Sequence, residues 1–191
     1  MTSVGTDNTN EEMKLAVRRW LGRRIDGWRV LDLYCGEQGR MYQGIWNEAI
    51  RYFGVDKYRP HNLAPTARMS AEKASQQMNL ADWNLFDVDC YSSPWAVARM
   101  ICKRRPPGRY GMALTSGEAR GLRGGDSNEI IRTTIGASAI SDLRLLGRYQ
   151  DLIIKLMIRS LGEMPGVTLQ QAAMAKTGRG IAYIGLIMEK A

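Results

Sequence analysis

The stretch Trp28-Arg-Val-Leu-Asp-Leu-Tyr-Cys-Gly-Glu-Gln-Gly39 constrains this chain more than any other. Val30, Leu31 and Leu33 form an apolar run with the length and branching of a buried strand, and the run stops at Gly36 and Gly39 before a new segment begins. In an open α/β sheet, ligands sit beyond the carboxyl ends of the strands, and glycines there let a backbone approach a ligand more closely than any Cβ permits. The loop after Leu33 therefore reads as a cradle for a small molecule.

The rest of the chain supplies a sheet for that loop. Met1 to Asn10 is polar and reads as a flexible terminus, and residues 11–191 read as a single domain. A helix is predicted from Glu11 to about Arg24, with acids at its positive end and Arg23 and Arg24 at its negative end. It reads as a cover for the sheet, its arginines available either for packing or for substrate phosphates. Beyond the glycine loop the spacing predicts a helix over Met41 to Arg51 with Ile45, Ala49 and Ile50 facing inward, then a strand over Tyr52 to Val55. A short strand at Ala67 to Met69, a helix from Glu72 to Leu80, a strand from Asn84 to Asp89 and a helix from Trp95 to Cys102 follow, with Pro94 in that helix's first turn. Tyr110 to Thr115 is a fifth strand. Ser116 to Asn128 is a loop rich in Gly and Arg, and Ser141 to Leu161 is a helix with Leu145, Tyr149, Leu152, Leu156 and Met157 on one stripe. Two strands, Val167 to Ala175 and Ile181 to Met188, flank a glycine-bearing hairpin connection. Alternation of this kind demands an α/β fold, a mostly parallel seven-stranded sheet with helices on both faces and a terminal antiparallel strand.

Composition narrows the partners. Twenty-seven Lys and Arg against nineteen Asp and Glu leave a formal charge of +8, which favours encounter with polyanions and moves nucleic acid up the order of substrates. Cys35, Cys90 and Cys102 form no CxxC pair and no even framework, which fits a reducing compartment, and the expected location is the cytoplasm. No apolar run approaches the ~20 residues of a membrane helix, so a soluble protein with no membrane partner is expected.

Three acids fall at consecutive strand tips: Asp32, Asp56 and Asp89. Asp56 lies about twenty residues past the glycine loop, where an acid can accept bonds from both hydroxyls of a ribose. A turn cap is the competing role for it. The loop lacks the Lys-Ser/Thr of a phosphate-binding P-loop and the first glycine of GxGxxG, so a triphosphate and a dinucleotide are both disfavoured. A ribose-bearing cofactor without a pyrophosphate fits better, and S-adenosylmethionine has that description.

Val30-Leu-Asp-Leu-Tyr-Cys-Gly-Glu-Gln-Gly39 resembles the first motif of the Rossmann-like S-adenosylmethionine-dependent methyltransferases, and Phe53-Gly-Val-Asp56 resembles the second. The resemblance spans about Arg24 to Lys190. It implies that Asp32, Tyr34, Gly36, Glu37 and Gly39 wrap the methionine part, that Asp56 holds the ribose, and that Lys57 flanks the adenine. Ser70 and Ala71 match the segment that reaches the adenine amine, with Ser70 where an acid is usual.

Phe86-Asp-Val-Asp-Cys-Tyr-Ser-Ser-Pro94 resembles the Asp-Pro-Phe-Gly-Ser-Pro stretch of tRNA guanine-N2 dimethyltransferases, and more loosely the Asp/Asn-Pro-Pro-Tyr box of amino-methyltransferases. Cys90 stands in place of the proline and Ser92 in place of the glycine. By this resemblance Asp89, Tyr91, Ser92 and Pro94 form the catalytic segment: Asp89 or the Cys90 carbonyl orients an amine, Asp89 also borders the cofactor, and Tyr91 stacks the base. Cys90 reads as a small residue filling the proline's slot rather than as a thiolate nucleophile. Substrate would be recognised by the first helix, by Arg120 and Arg123 of the Gly-Arg loop, or by a partner. His61, in a proline-flanked loop, reads as a packed or solvent-exposed residue and not as a general base. The expected activity is methylation of a nucleic-acid base, RNA before DNA, at an exocyclic amine or ring nitrogen. Two alternatives remain open: a non-catalytic binding module with this fold, and a methyltransferase of small molecules or proteins.

Overall fold

The computed structural model describes residues 10–90, 93–117, 150–177 and 180–191. Helix α1 (Glu11–Gly22) is followed by β1 (Arg29–Asp32), α2 (Arg40–Gly44), β2 (Arg51–Asp56), β3 (Thr66–Arg68), α3 (Ala71–Gln77) and β4 (Leu85–Val88). Then come α4 (Trp95–Arg104), β5 (Gly108–Ser116), α5 (Gln150–Gly162), β6 (Val167–Lys176) and β7 (Ala182–Lys190). Among the described residues no helix is long and apolar enough to cross a membrane.

The seven strands form one sheet in the order β3-β2-β1-β4-β5-β7-β6. The first five of these positions pair in parallel, and β7 lies between β5 and β6, antiparallel to both. The predicted alternation and the predicted antiparallel strand are both present. Side chains alternate across the sheet. Leu31, Phe86, Met112, Leu114 and Leu186 face a core shared with α3, α4 and α5, while Val30, Leu85, Ala113 and Ile187 face a second core shared with α1 and α2. Helices thus cover both faces.

Strand order reverses between β1 and β4, because β1 leads outward to β2 on one side while β4 leads to β5 on the other. At such a switch point the two crossovers diverge and leave a crevice at the carboxyl ends of the central strands. The loop that starts at Leu33 opens into it.

Three expectations are corrected. The helix predicted over Met41 to Arg51 ends at Gly44, and a 3-10 turn at Trp46–Glu48 follows. Ile45 is buried as expected, but Ile50 is 79% exposed. The break has a tertiary cause: Ile45 leaves helical geometry at φ −159°, and the Trp46 indole is then carried inward, where its Nε1 donates to Asp87 Oδ2 at 2.7 Å. Helix α3 stops at Gln77 rather than Leu80, because Met78 is extended and the Asn79 side chain starts a separate turn over Leu80–Asp82. In α5 the buried stripe is Ile153, Ile154, Met157, Ile158 and Leu161, and Leu152 is exposed. Two apolar stripes compete on this helix, and the one carrying the β-branched pairs packs on the sheet. Leu145 and Tyr149 lie outside the described residues.

Candidate cofactor and active site

The crevice is built on two adjacent acids. Asp32 of β1 and Asp87 of β4 are register partners on neighbouring parallel strands, so their side chains leave the same face, and both are buried. Two carboxylates side by side in an apolar interior need a cation or a proton. Arg18 of α1 supplies the cation. Its guanidinium, 1% exposed, donates from Nε to Asp87 Oδ2 and from a terminal nitrogen to Oδ1, each at 2.6 Å. Burial opposes the charge on Arg18, but the acids around it, Asp87 first and then Asp89, outweigh burial and hold the guanidinium firmly protonated.

Asp32 accepts from the Tyr34 amide at 3.2 Å through Oδ1 and from the Tyr52 hydroxyl at 3.1 Å through Oδ2. Burial, and then the charge on Asp87, push its carboxyl well above the usual range, while the Tyr34 amide, Arg18 and Tyr52 pull the other way. Asp89, just past the end of β4, has the opposite fate. Burial acts to raise it, but Arg18 and Lys14 together hold it below the ordinary carboxylate range. The Lys14 ammonium lies 2.8 Å from Asp89 Oδ2, and an Arg18 nitrogen 3.7 Å from the same oxygen.

The glycine loop runs over this ionic floor. The Leu33 amide donates to the Asp87 carbonyl at 2.8 Å and the Cys35 amide to the Val55 carbonyl at 3.0 Å, which ties the loop to β4 on one side and β2 on the other. Gly36 has φ +63°, and a Cβ placed there would meet nothing within 4 Å. Its backbone therefore borders open crevice in a conformation that L side chains rarely adopt. Gly39, at φ +56°, is glycine for a second reason: an added Cβ would lie 2.7 Å from the His61 ring. Tyr34 is half-buried, and its hydroxyl is raised first by burial and then by the neighbouring Cys90, Glu72 and Asp56. That set brings the ends of β1, β2 and β4 and the start of α3 to one place.

Asp56 ends β2 on the rim. Its Oδ1 accepts from the amides of Tyr58 at 2.8 Å and Arg59 at 2.9 Å, so it does cap the following turn, while among the described residues Oδ2 takes no part in that cap. A carboxylate has about four lone-pair sites, so the cap leaves capacity for a ribose. Lys57 is exposed, with its ammonium 5.4 Å from the Tyr58 ring centre. Glu37 is exposed and pairs with Arg59 at 3.5 Å, linking the glycine loop to the turn after β2. At the end of β3, Ser70 uses its hydroxyl to cap α3, accepting from the Lys73 amide at 3.2 Å, and Ala71 is buried in the core. The cap takes one acceptor site of the hydroxyl that the resemblance directs towards adenine.

On the substrate side, Pro94 is buried at the head of α4 and its carbonyl accepts from the Ala98 amide at 2.9 Å. The buried Cys90 thiol donates to the Thr115 carbonyl at 3.5 Å. The thiol is thus turned towards β5, where a small packed side chain is expected. Tyr91, Ser92, Arg120 and Arg123 lie outside the described residues, as do the residues before Asn10, for which a flexible terminus is expected from the sequence. A separate cleft of about 440 Å³, lined in part by Arg51, Tyr52, Phe53, Asp82 and Trp83, opens at the opposite end of β2 from Asp56 and has only Tyr52 in common with these groups.

The structure thus brings together Asp32, Tyr34, Gly36, Gly39, Asp56 and Asp89, with Glu37 and Lys57 on the rim and Ser70 and Ala71 at the next strand end. The sequence reading does not single out Lys14, Trp46, Tyr52 or Asp87, and it holds Arg18 only among the first helix's arginines, for packing or phosphates, not as the partner of buried acids. One signal was available: Lys14, Arg18 and Leu21 share a helical stripe, and an acid inside the apolar run Leu85-Phe-Asp-Val88 calls for a buried cation.

A seven-stranded sheet of this order, with a glycine loop after β1 and an acid ending β2, defines the Rossmann-like methyltransferase fold. No protein-family model matches the chain, and no curated protein matches it in sequence. Solved structures do match in fold. The N-methyltransferase NodS from Bradyrhizobium japonicum WM9 aligns over 96% of this chain and 98% of its own, with a TM-score of 0.54 and 12% identity. The plantazolicin methyltransferase BamL, crystallised with a triazolic desmethylPZN analog and SAH, aligns over 95% and 86%, with a TM-score of 0.56 and 13% identity. A Lactococcus lactis protein provisionally assigned as a hemolysin aligns over 94% and 88%, with a TM-score of 0.60 and 13% identity. At these identities the likeness is one of fold.

Proposed function

We propose that this chain is an S-adenosylmethionine-dependent methyltransferase that acts on a nucleic-acid base, RNA before DNA, at an exocyclic amine or ring nitrogen. The observation that carries the cofactor half is the pairing of Gly36, left-handed and bordering open crevice, with Asp56, whose Oδ2 is free of the turn it caps. Gly36 and Tyr34 would lie along the methionine part and Asp56 would accept from the ribose. When bound, the cofactor supplies an electrophilic methyl group on a sulfonium.

The substrate half is argued from Asp89 and the charge. A carboxylate held below its usual range by two cations is a weak base but a fixed acceptor, suited to orient an N–H so that the nitrogen lone pair faces the methyl group. The +8 charge favours a polyanionic substrate. The resemblance of Phe86 to Pro94 to the tRNA guanine-N2 enzymes supports an amine in RNA. Lys14 favours a second reading: it already occupies Asp89 Oδ2, as it would in a module that holds a partner without catalysis.

Calorimetric titration with S-adenosylmethionine is expected to give binding in the micromolar range, and Asp56→Ala to weaken it at least about tenfold, the worth of a hydrogen bond to a charged group. Absence of binding to the wild-type protein would sink the cofactor assignment. Methyl-labelled cofactor incubated with bulk RNA, DNA or protein then separates the readings: label in RNA supports the first, label in protein alone redirects the substrate, and no label in any excludes all three polymers and leaves the binding module or a small-molecule substrate.

A further inference from the structure

Beneath the glycine loop lies a hydrogen-bond chain that the cofactor reading does not use. The Leu63 amide donates to His61 Nδ1 at 3.2 Å, His61 Nε2 lies 3.0 Å from the Tyr52 hydroxyl, and that hydroxyl lies 3.1 Å from Asp32 Oδ2. Its polarity follows from its first link. A backbone N–H can only donate, so Nδ1 must carry the lone pair, and a neutral ring must then carry its proton on Nε2. Nε2–H donates to the Tyr52 oxygen, and the only proton left on that oxygen points at Asp32. The Tyr34 amide occupies Oδ1 as a second donor. Asp32 is therefore met by a donor on each oxygen, an arrangement that favours its anion. His61, 3% exposed, also lies beneath Gly39 and stacks on Tyr42 and Tyr52 at centroid distances of 5.5 and 5.8 Å.

We propose that Tyr52 and His61 are positioning residues of the cofactor loop: they form a one-way relay from the Leu63 amide to Asp32 that keeps Asp32 an anion and so fixes the Tyr34 amide at the loop's entrance. The relay touches the loop twice, at Tyr34 through Asp32 and at Gly39 through the His61 ring. This role rests on the cofactor assignment above, and its structural half can be tested without it.

The pH behaviour follows from the groups in contact. Asp32 is faced by Asp87 from β4, Arg18 from α1, Tyr52 from β2 and the nearby Cys35, whose thiol burial pushes up to about 12 with Asp32 adding to the rise. His61 is faced by Tyr42 from α2 and Tyr52 from β2, and burial lowers it below its usual value. The raised Asp32 takes up a proton as pH falls through its folded-state value, and a protonated His61 would turn an N–H on Nδ1 against the Leu63 amide. Either event breaks the relay, so cofactor affinity is expected to be full at higher pH and to weaken as pH falls.

His61 is the chain's only histidine, so its ring nitrogens can be assigned without ambiguity by proton–nitrogen NMR on the full chain. The expected spectrum is the Nε2–H tautomer with a midpoint below the usual ~6.5. In parallel, S-adenosylhomocysteine affinity is measured calorimetrically from about pH 5 to pH 8, and exchange of the Tyr34 amide is followed in the absence of ligand. Tyr52→Phe removes a donor to the Asp32 anion, so the affinity midpoint should move to higher pH and Tyr34 exchange should accelerate about tenfold. His61→Gln keeps an acceptor for Leu63 and a donor for Tyr52 without titrating, and should retain affinity that His61→Ala loses. An Nδ1–H tautomer overturns the relay. So does a Tyr52→Phe variant with unchanged Tyr34 exchange and unchanged pH midpoint, or equal losses in the two His61 variants. Failure of the wild-type protein to bind at any pH overturns the cofactor assignment instead, and the histidine spectrum and Tyr34 exchange then decide the relay alone.

Discussion

Arg18 has the most exacting position in the molecule. It is buried to 1% exposure, bonded bidentately to Asp87 and close to Asp89, in a helix whose other buried residues are apolar. Its removal leaves two acids facing each other across β1 and β4 with Lys14 as the remaining cation, and uncompensated buried charge of this kind costs about 3–5 kcal/mol. Arg18→Met should lower the urea-unfolding free energy by that amount. Arg18→Lys should recover only part of it, since an ammonium cannot reproduce a planar two-point contact. A loss below about 1 kcal/mol in Arg18→Met would mean that Asp32 or Asp87 is protonated in the fold and needs no cation. Sequence makes Asp32 visible as a strand-tip acid and Asp87 as an acid within an apolar run, but not their pairing, because the register that sets them side by side is a tertiary fact. His61 was legible only as packed or exposed; its bond to Tyr52 depends on a loop conformation that no spacing encodes.

At the scale of elements, the strand and glycine loop around Leu31 to Gly39 were legible because their causes are local: an apolar run, a left-handed turn and an acid at the next strand end. What failed was helix length and facing. Gly44 and Trp46 look like helix interior, yet the indole's bond to Asp87 takes the chain out of helical geometry. In α5 two stripes satisfy the same period, and the sheet selects one. The glycine loop itself permits a sharp prediction. Gly39→Ala combines a left-handed backbone with a Cβ 2.7 Å from the His61 ring, so the loop must shift. Cofactor affinity should fall by about a hundredfold or more while the melting temperature drops only a few degrees, because loop displacement is cheaper than loss of core packing. Equal affinity in Gly39→Ala would show that the ligand does not lean on this loop.

For the whole molecule, the mostly parallel sheet was legible in the alternation of elements and the antiparallel strand in the hairpin near Gly180, whereas the strand order is set by tertiary pairing. The charge of +8 is a property at this scale as well. If the substrate is a nucleic acid, its binding should weaken with salt, log K falling linearly with log salt at a slope of about −0.7 per neutralised phosphate on a single strand. Titration of a fluorescent RNA oligonucleotide at several salt concentrations, with unlabelled DNA and RNA as competitors, checks this. A flat response would exclude phosphate contacts as the basis of recognition.

The insertion of β7 between β5 and β6 has a consequence in time as well as in space. Helix α1, which carries Lys14 and Arg18, rests on β7, yet the bonds it must make to Asp87 and Asp89 span 69 and 75 residues of sequence. β7 supplies much of the surface on which α1 lies, with β5 and β6 supplying the rest, so strands from the far end of the chain help to set the cations over their acids. Before that closure the glycine loop can form from local contacts, but the carboxylates under it lack their cations. The ionic floor of the crevice is therefore expected to mature late, since long-range closure precedes any gain from these contacts. Ligand affinity in such a molecule acts as a checkpoint: it reports that the most distant strands of the chain have already met.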